Sequence, residues 1–507
     1  FLKLVAQVEP DTDDPNLGVE PLPDIDFNIK TGNTLVGFTS IEEVATASER
    51  AGRLGFDAGI VERIRIEAGG IAKRFREFRN AQQDGDVDSE SLQQQKRALV
   101  AALQSLADQL DNYLAGEYGI DPDDPKQAKR FEQWRQSHQP FHWITEFYGV
   151  MGDGGFDVVI GNPPYVVYPS KHVDYELQST LYDTVACKNL YASVFERSIA
   201  LASSRRVSLI VQLTALSSTR MKPLQDLLCS NGRLHAVSFP RRPQSVFESV
   251  EMPVVIITLL PSGDTEYVTS GICRFSAAER CVAIERMTLA QHGHRRDGHR
   301  IAKFARPIEA TIYEQVFAQP KVVCDFVVRN GPGYIYYQEA CRYWAKALDE
   351  PPYFRRNGEE VEPPHGRTLS LASKDMAAFV ACLLNSSLFY CFYSAFLDCE
   401  HINDSFVKLF PVPTDWSRIE WSALAEELRQ SLADRATRRT IVTSQGHEIE
   451  YDELEASSSK GIIDIIDAAL GDVYGLTPEQ VDYVANYDIK YRKGSDDGEE
   501  SEPAPKA

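Results

Sequence analysis

Residues 156–165 read Phe156-Asp157-Val158-Val159-Ile160-Gly161-Asn162-Pro163-Pro164-Tyr165, an apolar stretch that runs into a stiff polar turn. The Asn162 side-chain carbonyl and the Pro163 backbone carbonyl can both accept hydrogen bonds from one exocyclic NH2 group. Two such acceptors localise the nitrogen lone pair and stabilise the positive charge that develops when a weakly nucleophilic amine attacks. Tyr165 adds a flat face against which an extruded base can stack. Pro163 and Pro164 fix φ, so the turn cannot collapse. Val158 to Ile160 suit a buried parallel strand, and Gly161 frees the backbone where the strand ends. Ligands of open α/β sheets bind at that carboxyl edge, which puts Asn162 and Tyr165 where chemistry is usually done. The plainer alternative is an ordinary strand-to-loop turn containing two prolines.

The elements that must position this turn are also visible in the pattern. From Asp157 to about Leu260 apolar strands alternate with helical stretches, as a parallel α/β sheet requires. Before it, residues 41–116 show helical periodicity, with Leu92, Leu99, Leu103, Leu106, Leu110 and Leu114 forming one stripe. With the turn Gln82-Gln83-Asp84-Gly85-Asp86, this predicts an antiparallel helical hairpin; a coiled-coil dimer would bury the same stripe. After Ser262-Gly263-Asp264 the pattern becomes irregular and rich in aromatics. Near the carboxyl end Thr477, Pro478 and Gln480 form a capping-box pattern that predicts a helix from Pro478. From Lys493 onwards little apolar surface remains to offset ordering entropy, which predicts a disordered acidic tail.

Composition narrows the class. A chain of 507 residues with 43% hydrophobic content can fill several cores. No apolar run has the length of a membrane span, and the start lacks the pattern of a secretory leader. Nine cysteines without Cys-x-x-Cys or Cys/His ligand spacing read as reduced thiols in a cytoplasmic protein. The histidines His292, His294 and His299 lie among arginines without acidic or thiol partners, so no metal site is expected.

A net charge of −21 runs against a nucleic-acid partner, since Lys and Arg contacts to phosphate supply most non-specific affinity. Its distribution differs: residues 151–310 hold 18 basic and 15 acidic groups, an excess of +3. Arg205-Arg206, Arg220 with Lys222, Arg241-Arg242 and Arg295-Arg296 are candidate phosphate contacts, or solvated surface charge.

With these segments in order, the sequence resembles the amino-group adenine-specific DNA methyltransferases of the Asn-Pro-Pro-Tyr type found in restriction-modification and phage-defence systems. Asn28-Ile29-Lys30-Thr31-Gly32-Asn33-Thr34-Leu35 looks like the family's second cofactor strand, and the resemblance gives Asn33 the adenine of S-adenosylmethionine, although the family more often has Asp there. Lys188-Asn189-Leu190-Tyr191 with Phe195-Glu196 is similar to the helix beside the methyl-transfer site, and Val207-Ser208-Leu209-Ile210-Val211 to the next core strand. Val246-Phe247, just before Met252-Pro253-Val254-Val255-Ile256-Ile257, resembles the loop that brings a second aromatic to the flipped base, making Phe247 the partner of Tyr165. Asn385-Ser386-Ser387-Leu388-Phe389-Tyr390, His401-Ile402-Asn403 and Phe410-Pro411-Val412-Pro413 resemble the segment that closes the recognition domain.

The resemblance implies an α/β fold: a class I S-adenosylmethionine-dependent methyltransferase (Rossmann-like) core with a helical insertion and a carboxyl-terminal α+β target-recognition domain. The expected limits are 1–40 for the cofactor side of the core, 41–140 for the helical hairpin insertion, 141–262 for the catalytic core, 263–415 for target recognition, 416–492 for a helical region and 493–507 for the tail. Asn162, Pro163, Pro164 and Tyr165 are the expected catalytic turn, Tyr165 and Phe247 the stacking pair, Asn33 and Asn162 the cofactor contacts, and Arg220, Lys222, Arg241 and Arg242 the DNA contacts. S-adenosylmethionine is the expected methyl donor, with no metal required. Double-stranded DNA is the expected partner, with an upstream nuclease domain or other defence-system subunits, and no membrane.

One absence qualifies this. The chain has no Gly-rich strand-to-helix turn of the kind that receives a nucleotide-like cofactor: Gly152-Asp153-Gly154-Gly155 precedes a strand, and Ala68-Gly69-Gly70 lies inside helical periodicity. The sequence opens at Phe1, already in the apolar stretch Phe1-Leu2-Lys3-Leu4-Val5, so the expectation is a carboxyl-terminal portion of a longer enzyme, inactive as it stands. The alternatives are a non-catalytic DNA-recognition or assembly subunit, and an Asn-Pro-Pro-Tyr methyltransferase acting on protein glutamine or on RNA.

Overall fold

The structure, a computed structural model, describes residues 29–50, 54–83, 89–178, 181–204, 206–247, 250–261, 266–296 and 298–493. Phe1 to Val5, Asn28, the turn residues Asp84 to Asp86, Arg205, Ser262 to Asp264 and the tail from residue 494 lie outside the described residues. The chain divides into two units, Phe1–Val159 with Val166–Arg206, and Ile160–Tyr165 with Val207–Ala507.

The first unit is helical. It contains α1 (Ile41–Arg50), α2 (Leu54–Gln83) and α3 (Ser89–Glu117), followed by helices Ala128–His138 and Leu190–Leu201. The leucine stripe makes the core: Leu99, Leu106, Leu110 and Leu114 are buried, with Leu92 and Leu103 packed against them. The stripe is therefore covered within this unit. A buried ion pair ties the unit together. Arg197, 1% exposed, gives Nη1 to both Glu43 carboxylate oxygens at 2.7 and 2.8 Å, Nη2 to the Gly37 carbonyl at 2.9 Å and Nε to the Tyr182 hydroxyl at 2.8 Å.

Over residues 29–35, the described part of the strand expected over 28–35, no strand forms. Among the described residues there it is reduced to a single parallel bridge between Asn33 and Pro140. Local chemistry explains the difference: Asn33 Oδ1 accepts the Leu35 amide at 3.1 Å, and the Asn33 carbonyl accepts the Val36 amide at 3.0 Å. An Asn side chain that captures the amide two residues on builds a turn in place of an extended ladder.

A six-stranded sheet organises residues 159–292. Its strands are β1 (Val159–Gly161), β2 (Val207–Gln212), β3 (Arg233–Phe239), β4 (Val254–Leu260), β5 (Tyr267–Ile272) and β6 (Leu289–His292), in the order β1-β2-β4-β3-β5-β6. The sheet is mixed, which corrects the expectation of a parallel one. β4 lies between β2 and β3 and is antiparallel to both, with Gln212 and Phe239 each opposite Val254. The connection 240–253 holds no crossover helix among its described residues, so β4 returns antiparallel beside β3, whereas a parallel neighbour needs a crossover. β2 and β3 are consequently parallel to each other, and β4 is the apolar central strand, with Val254, Val255, Ile257 and Leu259 fully buried.

Among the described residues β1 forms one edge of this sheet. The buried strand expected there is exposed: Val158 is 55% and Ile160 79% accessible. An edge strand has a ladder neighbour on one side only, and its apolar residues do not imply burial.

Beyond β6 the second unit mixes helices with small antiparallel sheets. Gly333–Gln338 pairs with Ala347–Leu348 and Gly366–Leu371, while Phe354–Arg356 joins Glu448–Glu453 and Thr437–Val442. Helices Lys374–Asn385 and Ser387–Phe396, bent by 61° at Ser386, form the centre of its core. Ser386 caps the second helix by accepting the Phe389 amide at 3.0 Å, and Asp467 accepts the Ser387 amide at 2.8 Å. These satisfy amides that a buried helix start leaves unpaired. No single helix among the described residues is long and apolar enough to cross a membrane. The capping box expected at Thr477 is present, starting helix Pro478–Ala485. Residues 486–492, which carry no motif in sequence, lock the carboxyl end in place: Asp488 pairs with buried Arg274 at 3.0 Å, and the Arg492 guanidinium lies 3.8 Å from the Trp344 ring centre. All nine cysteines are free.

Candidate methyl-transfer site

The turn after β1 belongs to the second unit. The chain leading into β1 runs alongside the chain leading into β2 in the same direction: Phe156 bridges Ala202 in parallel, and the Val159 amide reaches the Arg206 carbonyl at 2.9 Å. The two strands therefore end at the same edge of the sheet. Because β3 is parallel to β2, the loop leaving β3 at Phe239 and entering β4 at Val254 emerges at that edge too. This topology brings residues 161–165 and 240–253 together, far apart though they are in sequence.

Within the turn, Pro163 is buried while Asn162 and Pro164 are exposed. The Asn162 carboxamide has no hydrogen-bond partner among the described residues, so its acceptor and both donors face outward uncommitted. Tyr165 is half-buried; its hydroxyl donates to the Ile210 carbonyl of β2 at 2.9 Å, and burial pushes its pKa up. The hydroxyl acts as an anchor that fixes the ring's tilt. Gly161 does not need to be glycine. Its φ is not positive, and a Cβ there would meet Leu209 Cδ2 at an ordinary 3.5 Å, which corrects the expectation of a conformationally demanded glycine.

Phe247 is half-buried at the tip of the second loop. Tyr165 and Phe247 pack against the same small core of Phe239, Val254 and Phe275, together with Ile210, Val237, Val246 and Ile256. Sequence reasoning named both aromatics; it missed what holds the loop. Ser245 Oγ donates to the Phe247 carbonyl at 2.8 Å, Arg280 Nη1 to the Val246 carbonyl at 3.0 Å, and Arg274 Nη1 to the Arg242 carbonyl at 3.0 Å. Nothing in the spacing of Arg274 or Arg280 announces that role, because each reaches back more than 30 residues to a backbone carbonyl.

The expected DNA contacts fall into different settings. Arg220 is exposed, whereas Lys222 is paired with Asp226 one helical turn on. Arg241 lies 3.7 Å from both Glu251 and Glu400. Arg242 is half-buried, and burial together with the Arg342 and Arg241 charges pulls its pKa down. Asn33 belongs to the first unit, where Leu35 and Tyr175 already engage its side chain. The helix expected at Lys188 to Glu196 is there, Leu190–Leu201, capped by Asn189. His292 is buried and hydrogen-bonds Thr269 Oγ1 at 2.9 Å, a structural role.

Comparison with known proteins is informative over one part of the chain. No curated protein matches. Among solved structures, one described as "cryoEM structure DrdV-DNA complex" aligns with 73% of this chain and 58% of its own at 10% identity and a TM-score of 0.30, too low a similarity to support an argument. The chain thus spans under two thirds of that protein. The mixed sheet within a mixed α/β architecture fits a methyltransferase-like fold. Residues 84–247, which run from the helical region through β1, the Asn162 turn, β2 and β3 to Phe247, match the family described as Eco57I restriction-modification methylase.

Proposed function

We propose that this chain contributes the methyl-acceptor half and the recognition region of an S-adenosylmethionine-dependent DNA methyltransferase of a restriction-modification system, acting on the N6 amine of adenine. The observation that carries this reading is the turn itself: an uncommitted Asn162 carboxamide beside the Pro163 carbonyl, next to a Tyr165 ring held in orientation by Ile210. The fit to the methyl donor is partial. Asn162 and Pro163 suit the transferred-methyl end, but Asn33 has its side chain engaged locally and the sequence has no Gly-rich cofactor turn, so no step is derived through the nucleoside end.

S-adenosylmethionine, when bound, supplies an electrophilic methyl group. The chain's own part follows from hydrogen-bond geometry. Asn162 Oδ1 and the Pro163 carbonyl accept the two amine hydrogens of an extruded adenine, which turns the nitrogen lone pair towards the methyl group. Tyr165 and Phe247 supply apolar faces that replace the stacking lost when the base leaves the duplex. The methylated amine then releases one proton to solvent, which reaches the exposed turn beside the carbonyls that hold the amine. The core is the class I, Rossmann-like type, residues 263–415 select the DNA sequence, and the carboxyl-terminal helices support that region.

The test offers labelled methyl donor with duplex DNA, RNA or a glutamine-bearing release-factor protein to a methylation-competent enzyme carrying this chain. Label in the adenine N6 of duplex DNA is the expected result; label confined to RNA or protein overturns it. The engaged Asn33 favours a second reading, a recognition subunit without catalysis. Calorimetric titration of this chain with S-adenosylmethionine separates the two, since micromolar binding is incompatible with the second.

A further inference from the structure

A cavity of about 470 Å³ opens in the second unit between the segment that follows β2 and residues 339, 367 and 397–405. Its wall starts at Thr214, four residues beyond the Ile210 carbonyl that anchors Tyr165, so it lies along the sheet edge that bears the Asn162 turn.

Most charged groups in the wall are already committed. Arg300 is buried and gives Nε to the Ser217 carbonyl at 2.9 Å and Nη2 to Thr219 Oγ1 at 3.2 Å. Arg367 Nη2 meets Glu339 Oε1 at 3.2 Å. Asp398 Oδ1 accepts the Glu400 and His401 amides, each at 2.9 Å. Asp404 accepts the Tyr337 hydroxyl at 2.9 Å and pairs with Lys408 at 2.7 Å.

Two side chains differ. Arg220 is exposed in the short turn Thr219–Met221 and has no hydrogen-bond partner among the described residues. Asn403 stands at the N-cap of helix Asp404–Lys408, yet its side chain makes no capping bond. An Asn at that position ordinarily accepts an amide from the first turn; here its acceptor and donors remain open to the cavity.

We infer that Arg220 and Asn403 read base edges of duplex DNA next to the methylated adenine. This rests on the DNA-methylation reading above. The guanidinium fork matches guanine O6 and N7, and a carboxamide matches adenine N6 and N7. The charged side chains of the wall, Arg220, Arg300 and Arg367 against Glu339, Asp398 and Asp404, sum to zero, so the cavity offers no excess positive charge to a phosphate. Neutral base edges need none, and the ion pairs around the two readers hold the frame rigid.

The experiment selects binders of this chain from a randomised duplex pool and then measures equilibrium affinities, for the wild type and for Arg220→Ala, Asn403→Ala and Asn403→Asp. Asn403→Asp preserves an N-cap residue, so a loss of helix stability in Asn403→Ala does not decide the outcome. The wild type is expected to enrich one sequence. Arg220→Ala loses guanine preference at one position and Asn403→Ala loses adenine preference at another, each by roughly 10- to 100-fold. Asn403→Asp shifts its position towards cytosine, whose N4 amine donates to a carboxylate. Uniform weakening by Arg220→Ala with an unchanged sequence profile overturns the inference, since that is the behaviour of a phosphate contact. A profile unchanged in all three variants also overturns it and leaves DNA methylation standing. A wild type that binds no duplex overturns both.

Discussion

Tyr165 separates the two jobs that a tyrosine can do at this site. Its hydroxyl donates a neutral hydrogen bond to the Ile210 carbonyl at 2.9 Å, and its ring, like that of Phe247, packs on the Phe239, Val254 and Phe275 core. Tyr165→Phe removes only the hydrogen bond, a net loss of about 1 kcal/mol or about five-fold in the correctly oriented population. Tyr165→Ala removes the ring as well; with base–aromatic stacking at ~1–3 kcal/mol, the combined loss of ~2–4 kcal/mol corresponds to roughly 30- to 1000-fold in rate. The assay is single-turnover methyl transfer to a duplex with one target site, paired with 2-aminopurine at the target adenine to report unstacking. The expected order is wild type, then Tyr165→Phe slightly slower, then Tyr165→Ala far slower with altered 2-aminopurine emission. Equal rates for Tyr165→Ala and wild type would refute the stacking role. Equal losses in Tyr165→Phe and Tyr165→Ala would refute it differently, by placing the whole effect in the hydroxyl.

Asn162→Ala should leave chemical denaturation within about 0.5 kcal/mol of wild type, because the side chain is exposed and unpartnered, while abolishing methylation and retaining duplex binding; methylation at the wild-type rate removes Asn162 from the chemistry. Stability should depend on pH from two sides. Burial lowers the His292 pKa to about 4, so the stability of its neutral form is present above the ordinary imidazole value and is lost as pH falls towards 4. Burial raises the Glu309 pKa to about 7, so its contribution is full below the ordinary carboxylate value and is lost as pH rises through 7. Thermal midpoints from pH 4 to 8 should show His292→Gln flattening the acid limb and Glu309→Gln the limb up to 7; unchanged slopes in both variants would contradict these burials. Arg197→Met strands the Glu43 carboxylate and should cost ~3–5 kcal/mol in urea unfolding, and a cost under ~1 kcal/mol would mean that the buried pair is not formed.

What the sequence made legible follows from the range of the interactions concerned. The leucine stripe of α3 and the Thr477 capping box are local patterns, and both turned into the elements they foretold. The expectation that Tyr165 and Phe247 act together came from a family resemblance; that both pack on one small core follows from the antiparallel return of β4, which periodicity alone does not reveal. Residues 29–35 do not form the strand their pattern foretold, because Asn33 holds the Leu35 amide two residues on. Val158 and Ile160 misled because β-branched residues announce a strand without saying whether it is central or at an edge. Arg274, Arg280 and the Asp488–Arg492 segment were invisible for a third reason. Their bonds span from tens to more than two hundred residues, and nothing in one sequence ties such partners together.

The charge balance acquires a different meaning once the pairs are known. An excess of +3 over residues 151–310 looked like a reserve for phosphate. Much of it is neutralised inside the chain: Arg233 sits 3.4 Å from Glu266, Arg295 2.9 Å from Asp226, Arg274 3.0 Å from Asp488, and Arg241 between Glu251 and Glu400. Formal charge by segment therefore overstates the cations available to DNA. The converse holds for the carboxylates. Asp226 shares Lys222 and Arg295, and Glu339 holds Arg367, so part of the −21 is equally cancelled where it lies. An acidic chain can accept a polyanion wherever its carboxylates are already held, because screening limits the reach of the remaining charges to about 8–10 Å at physiological salt. Where DNA settles on such a surface depends less on the sum of charge than on which few cations are left uncommitted, and Arg220, exposed and unpartnered beside the edge that bears Asn162, is one of them.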